Sequence, residues 1–403
     1  MAGLACRILA FQIPHDEGDE IVYRMLVHQL EDGAGYTLRG TALIDHGWPA
    51  DQYGHALFFH PPGGILFFTA LDRMFGGYGL PLAQLLSYAL FFWSLMALAR
   101  SLSTATPPAP RATSLHAAAA LAAFTPLMTH VASHYWLDAP MLALVTLAAA
   151  LFVRGLPSSD TPLGGMGWIV GAGLAMGAAS WVKTAALAAI PGILILGWAC
   201  GAPGTRRAFV RLAAVFTGVA LLIQLPWEIW QWRVLGSPFP AWAGRPSAQL
   251  IAFSPYVRKL TVDRPWWIYF TLMPRVVWTL PPALLALFVA RLDPRARGVG
   301  FALAAWVAIV LAVVIGLGAI GYSKLLRYAI LIVPATVTLF ALVFGELWNR
   351  PAAESRAGRV LARVLLALAG LGLVLEIAQG VYTPLIDRRD LIWPLLLPGN
   401  GLY

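Results

Sequence analysis

Phe301 to Ile320 reads FALAAWVAIVLAVVIGLGAI, a run with no charged residue. A helix rising ~1.5 Å per residue over that length crosses the roughly 30 Å hydrocarbon core of a bilayer, so the stretch reads as a membrane span. Comparable runs lie outward from it in both directions, at Leu80–Ala99, Leu115–Val131, Pro140–Val153, Met166–Trp181, Leu187–Ala202, Phe209–Leu225, Val276–Leu292, Tyr328–Leu347 and Val360–Ile377. With the first they make about ten. Composition agrees: 59% of the 403 residues are hydrophobic and 12% are charged, against the roughly 45–50% apolar usage of soluble domains. The expectation is an all-α, polytopic integral membrane protein forming a single domain over 1–403, with no separate soluble part.

The net charge of +9 does not point to nucleic acid, because the basic residues are scattered at span ends and form no aromatic-interleaved patch. Short connections carrying Arg100 and Arg111, Arg154, Arg206 with Arg207 and Arg211, Arg291 with Arg295 and Arg297, and Arg350 with Arg356, Arg359 and Arg363 instead follow the positive-inside pattern and read as cytoplasmic. Two long segments, about 12–79 and 226–274, then fall on the outer face. Cys6 and Cys200 are far apart in sequence and suggest neither a disulfide nor a thiolate metal site.

The first outer segment is acidic in a basic protein. It holds nine of the nineteen acidic residues, with Asp16, Glu17, Asp19 and Glu20 close together. Ile21, Val22, Met25, Leu26 and Leu30 recur at helical spacing, and a second apolar stretch runs from Ile65 to Phe75, so two interfacial helices are expected there. The second segment collects Trp227, Trp230, Trp232, Trp242, Trp266, Trp267 and Tyr269, the side chains that favour the membrane interface. Clustered carboxylates at such a helix start cap it and complement its dipole. They also raise one another's pKa and can hold a general base at headgroup depth.

The stretch DEIVYRMLVHQLEDGAGYT, Asp19 to Thr37, resembles the motif that opens the first outer loop of the GT-C superfamily of membrane glycosyltransferases. Further similar motifs follow in order: HPPGGILFFTALDRMFG from His60, LDAPMLAL from Leu137, ASWVKTAAL from Ala179, PWEIWQWRVLGSPF from Pro226, DRPWWIYF from Asp263 and SKLLRYAILIVP from Ser323. Together they resemble the branch containing protein O-mannosyltransferases and the lipid A aminoarabinose transferase. The resemblance implies a GT-C-like fold, a polyprenyl-phosphate-linked sugar donor, and inverting transfer to a lipid, glycan or protein acceptor at the outer face of a bacterial inner membrane. Relatives carry a membrane helix directly before the DE motif, where this chain has MAGLACRILAFQ, so a start codon further upstream is expected.

Carried over residue by residue, the resemblance makes Asp19 the catalytic base with Glu20 as its partner, and Asp16 a rival within HDEGDE. His60 stands where the aminoarabinose enzymes have a lysine before a double proline, which makes it a candidate phosphate contact or simply a helix-start histidine. Asp138 matches an acid at the outer start of a span. Lys183, Arg264, Lys324 and Arg327 fall on the outer side, where positive charge is disfavoured, and so ask for an anion such as the carrier phosphate. Arg327, followed by Tyr328, and Arg264 match best. Some relatives use a divalent ion, for which Asp19 and Glu20 are the candidate ligands. The alternatives are an inactive or accessory member of the same fold, or a secondary transporter, which would carry ionisable groups at the bilayer midplane.

Two other patterns take ordinary readings. Gly167, Gly171, Gly173 and Gly177 imitate a dinucleotide loop but sit inside an apolar span, where small residues four apart let helices pack closely. His130 and His134 near Asp138 lack a third ligand and read as hydrogen-bonded structural groups.

Overall fold

The structure is a computed structural model, and it describes residues 18–58, 60–105, 112–157, 165–201, 206–236, 246–289, 292, 294–349 and 356–385, with isolated residues 5 and 8. Among them there is no strand. The principal helices are α1 Gly18–Glu31, α2 Gly63–Phe75, α3 Gly79–Ala105, α4 Ala112–Phe124, α5 Pro126–Ala132, α6 Asp138–Arg154, α7 Met166–Val182, α8 Ile190–Cys200, α9 Arg206–Leu235, α10 Ile268–Val276, α11 Leu280–Val289, α12 Pro294–Ala319, α13 Val333–Asn349 and α14 Arg356–Leu385. The protein is a multi-pass, all-α membrane protein.

Every expected span is helical in whole or in part, but fewer than ten are uninterrupted. Among the described residues five helical stretches are long and apolar enough to cross a membrane, or six if the bent pair α4–α5 counts as one. The difference lies in helix ends, which a hydropathy window does not sense. The run at 115–131 breaks by 41° at Thr125, because Pro126 has no N–H to donate and its ring crowds the preceding turn. The run at 187–202 begins as 3-10 helix, Thr184–Ala189, before α8, and the run at 276–292 keeps only the helix from Leu280 to Val289. In the opposite sense, α9 continues through Pro226 to Leu235, so the non-spanning segment expected at 226–274 starts about ten residues later. Pro226 is tolerated inside this helix, as prolines often are in membrane helices.

Both helices expected in the first outer segment form. Val22, Tyr23, Leu26 and Val27 of α1 are buried, and α1 packs on α2. The chain turns between α2 and α3 at Gly76, whose φ of +57° lies in the left-handed region. A Cβ on Gly79 would lie 2.4 Å from the Asp72 Cα, so this turn closes only with glycine there.

The core is a set of neighbouring helix pairs: α3 on α6, α6 on α7, α7 on α9, and α8 on α12. The small-residue reading of α7 holds at Gly173 and Gly177, whereas Gly167 and Gly171 face no close neighbour. A Cβ on Gly173 would come within 2.9 Å of the Phe216 carbonyl oxygen, and one on Gly177 within 2.7 Å of the Ile223 Cβ, so the bare backbone of α7 at these glycines seats Val219 and Ile223 of α9. Many large side chains on α9, α12 and α14 stay exposed, among them Leu222, Phe301 and Val374, as expected of faces solvated by lipid rather than water.

Candidate active site

The first turn of α1 carries Asp19 and Glu20, whose charges favour the positive end of the helix. Adjacent on a helix, their side chains leave about 100° apart, and they find different partners. Asp19 forms an ion pair with the Nη2 of Arg327, 308 residues further on. Glu20 is buried, with one oxygen 3.1 Å from His134 Nδ1 and accepting from the backbone N–H of Tyr135 at 2.8 Å. Glu20 therefore holds the 134–135 backbone and ring, while Asp19 meets Arg327.

Residues 134–136 form a shelf under the arginine. The His134 ring stacks on Trp136 with centroids 4.2 Å apart and planes 10° from parallel. The Arg327 guanidinium lies 4.1 Å from the Trp136 ring centroid and 5.9 Å from that of Tyr328. A flat, weakly hydrated cation on an indole face is held in orientation as well as in place. Trp136 is the component that sequence reading missed, since one tryptophan among sixteen carries no signal of its own. His134, read as a hydrogen-bonded structural group, is one.

Arg327 comes from a 3-10 stretch, Leu326–Ile332, that leads into α13. It is 7% exposed, and its Nε and Nη1 have no hydrogen-bond partner, although buried donors are nearly always paired. Asp19, by contrast, keeps 42% of its side-chain exposure. Burial pushes the Asp19 carboxyl up, but the charge and hydrogen bond of Arg327, with Lys183 behind, outweigh it and hold the group below its ordinary value.

A second ion pair lies beside the first. Lys183, at the end of α7, donates to Asp138 Oδ1 at 2.8 Å with both side chains buried, and its Nζ is 5.5 Å from the Tyr328 ring centroid. Asp138 starts α6, where its charge also meets the positive helix end. Removing one member leaves a bare buried charge. Asp138→Asn is expected to lower stability by about 3–5 kcal/mol, read as thermal unfolding in detergent micelles, and adding Lys183→Met to it should recover most of the loss. A single variant as stable as wild type would mean that this pair is solvated.

His60 packs edge-on to Phe58 and Tyr23, with ring centroids 5.5 Å and 6.4 Å away. Burial, with the Lys183 cation next, pushes its pKa down to about 3. The imidazole is thus neutral at physiological pH.

Arg264 and Lys324 form a separate buried cluster. Arg264 Nη1 donates to the Lys324 carbonyl at 3.1 Å, Lys324 Nζ donates to the Thr261 carbonyl, and Thr261 and Ser323 hydroxyls lie 3.1 Å apart. Burial and the neighbouring Arg264 charge lower the Lys324 pKa. Tyr269 ties this cluster to the first by donating to the Leu325 carbonyl at 3.1 Å, so residues 323–328 have one cationic group on each side.

Among the described residues no group of three or more His, Cys, Asp or Glu side chains could hold a metal ion. The two acids expected to share one are engaged with Arg327 and with His134 and Tyr135. Among the described residues the donor set does not fit a divalent cation. Asp16 lies outside the described residues.

No family model matches the chain, and no curated protein does. Solved structures do. Over 97% of its length the chain is similar to ArnT from Cupriavidus metallidurans bound to undecaprenyl phosphate, with TM-score 0.60, 17% identity and 72% of that chain covered. It is also similar to the oligosaccharyltransferase of Archaeoglobus fulgidus tethered with an acceptor peptide, over 94% of its length, with TM-score 0.51 and 12% identity. The chain spans only 55% of that enzyme's length. At these identities the likeness is one of fold alone: over nearly its whole length the chain has the fold of these solved structures.

Proposed function

We propose that this protein is a glycosyltransferase that moves a sugar from a polyprenyl-phosphate carrier to an acceptor hydroxyl or similar nucleophile at the outer face of the membrane, with inversion at the anomeric carbon. The observation that carries the reading is the Asp19–Arg327 pair: a half-exposed carboxylate against a buried guanidinium that still has two hydrogen-bond donors to give.

In the proposed reaction the acceptor oxygen forms a bond to the anomeric carbon while the bond from that carbon to the phosphate oxygen breaks. The electron pair of the broken bond leaves with the phosphate, and the acceptor proton passes to the Asp19 carboxylate. Attack opposite to the leaving group inverts the centre. Arg327 Nε and Nη1 meet the charge that grows on the departing phosphate, the kind of fixed donor that contributes most when it need not reorganise. Asp19, Asp138, Arg327 and Lys183 cancel in formal charge, and Arg264 and Lys324 of the second cluster are the further cations that can offset the carrier phosphate. The Tyr328 ring lies near both Lys183 and Arg327. The undecaprenyl phosphate bound to the similar ArnT fold supports a polyprenyl phosphate as the carrier.

The direct test is to incubate the purified protein with a panel of labelled undecaprenyl-phosphate sugars and a membrane extract as acceptor. One label is expected to leave the lipid, with the opposite anomeric configuration in the product. Failure of every sugar to leave, from protein that is folded and binds undecaprenyl phosphate, would overturn the reading.

A further inference from the structure

The last long helix, α14, reads as an ordinary span, yet it carries a carboxylate in its apolar run. Glu376 is 1% exposed and lies within a 24-residue helical stretch, Arg359–Tyr382, that is long and apolar enough to cross a membrane. A buried ionisable group in such a helix is costly and usually has a task. Its partners identify the task. The backbone N–H of Thr279 donates to Glu376 Oε2 at 3.1 Å, and the Thr125 side chain is hydrogen-bonded to the same carboxyl group.

Both partners stand at interruptions between helices. Thr125 sits at the 41° break between α4 and α5, and Thr279 directly precedes α11. At the start of α11, Pro281 and Pro282 have no N–H, while the amides of Leu280 and Ala283 already donate to the carbonyls of Val277 and Thr279. The Thr279 amide is the donor left over, and in a membrane interior an unmet backbone group costs several kcal/mol. Glu376 is the acceptor that meets it.

The helix is shaped to reach both breaks. Gly372, Glu376 and Gly380 are four apart and share a face. A Cβ on Gly372 would lie 2.9 Å from the Trp278 carbonyl oxygen, and one on Gly380 would fall within the radius of the Phe124 carbonyl oxygen. The two glycines seat α14 on the backbone of each break, and Glu376 bonds across both. Gln379 adds a third tie by accepting from Trp278 Nε1 at 3.0 Å.

We infer that Glu376 is a positioning residue: it fixes the break at Thr125, so that α5 delivers the His134–Trp136 shelf on which Arg327 rests. Its effect on transfer rests on the function proposed above; its effect on the breaks does not. α5 ends at Ala132, two residues before His134, so a change in the bend at Thr125 moves the shelf directly.

The test compares Glu376→Gln, whose amide oxygen can still accept from Thr279, with Glu376→Leu, which cannot. Hydrogen–deuterium exchange of the full chain in detergent micelles reads the breaks without any substrate. Peptides covering 125–136 and 277–280 are expected to exchange on the order of tenfold or more faster in Glu376→Leu, with the Gln variant near wild type and the rest of the chain unchanged. The inference is overturned by unchanged exchange at both breaks in the Leu variant, or by faster exchange spread evenly over all helices. It is also overturned if the Gln variant opens as far as the Leu variant, since a proton-carrying role would then fit better than a brace. If Glu376→Leu does not fold, Gly380→Ala separates α14 from the Phe124 break alone, and faster exchange confined to 125–136 is the expected result. If wild type transfers no sugar at all, the proposed reaction fails while the exchange result stands.

Discussion

Asp19→Asn is expected to leave the protein folded and to reduce sugar transfer roughly 100- to 10,000-fold, the range for a lost general base. The substitution keeps size and shape. Its amide oxygen can still accept from Arg327, so the arginine stays on the Trp136 ring and the fold has little to lose. What disappears is the anionic oxygen that takes the acceptor's proton in the proposed reaction. The check is initial rate against a labelled undecaprenyl-phosphate donor, beside circular dichroism and size-exclusion profiles of the same preparation; a wild-type rate would remove Asp19 from the mechanism. The wild-type pH profile carries a second signature. A carboxylate is a base only while ionised, and Arg327 holds the Asp19 pKa below its ordinary value. Activity should therefore persist as pH falls and give out only below the usual aspartate range of about 3.9.

The features legible in sequence were those that depend on composition and local order. Uncharged runs mark a membrane protein without knowledge of any contact, and the ordered motifs resemble GT-C enzymes even though identity to the similar solved structures is only 12–17%. What composition could not report was where helices stop, because Thr125 with Pro126, and Trp278 through Pro282, cost little in a hydropathy average yet divide two expected spans. Partner choice was hidden for a different reason. Asp19 and Glu20 are adjacent in sequence and look like one unit, but successive helical positions face different directions, so one acid faces Arg327 and the other His134. His60 shows the same limit: its position matched a cation, while its surroundings of Phe58, Tyr23 and Lys183 keep it neutral. Burial is a property of the assembled fold, and no local pattern records it.

Arg327 offers the second large effect, and its two replacements separate charge from shape. Arg327→Lys keeps a cation near Asp19 but loses the planar fork and the flat stack on Trp136, so a single ammonium must choose between the carboxylate and the departing phosphate. Transfer is expected to fall roughly 100- to 1,000-fold, the cost of one lost donor to developing charge, with a smaller loss in binding of undecaprenyl phosphate, because much of the benefit arises only as the bond breaks. Arg327→Met removes the charge as well. Asp19 then keeps the burial that pushes its pKa up and loses the main influence that pulls it down. In that variant the acid limb of the residual activity should move to higher pH, whereas in the lysine variant it should move less. Rates measured across pH for the three proteins decide the matter. An acid limb at the same pH in Arg327→Met as in wild type would mean that Asp19 is not the titrating base, and equal rates in the lysine variant and wild type would mean that the phosphate leaves without help from the guanidinium fork.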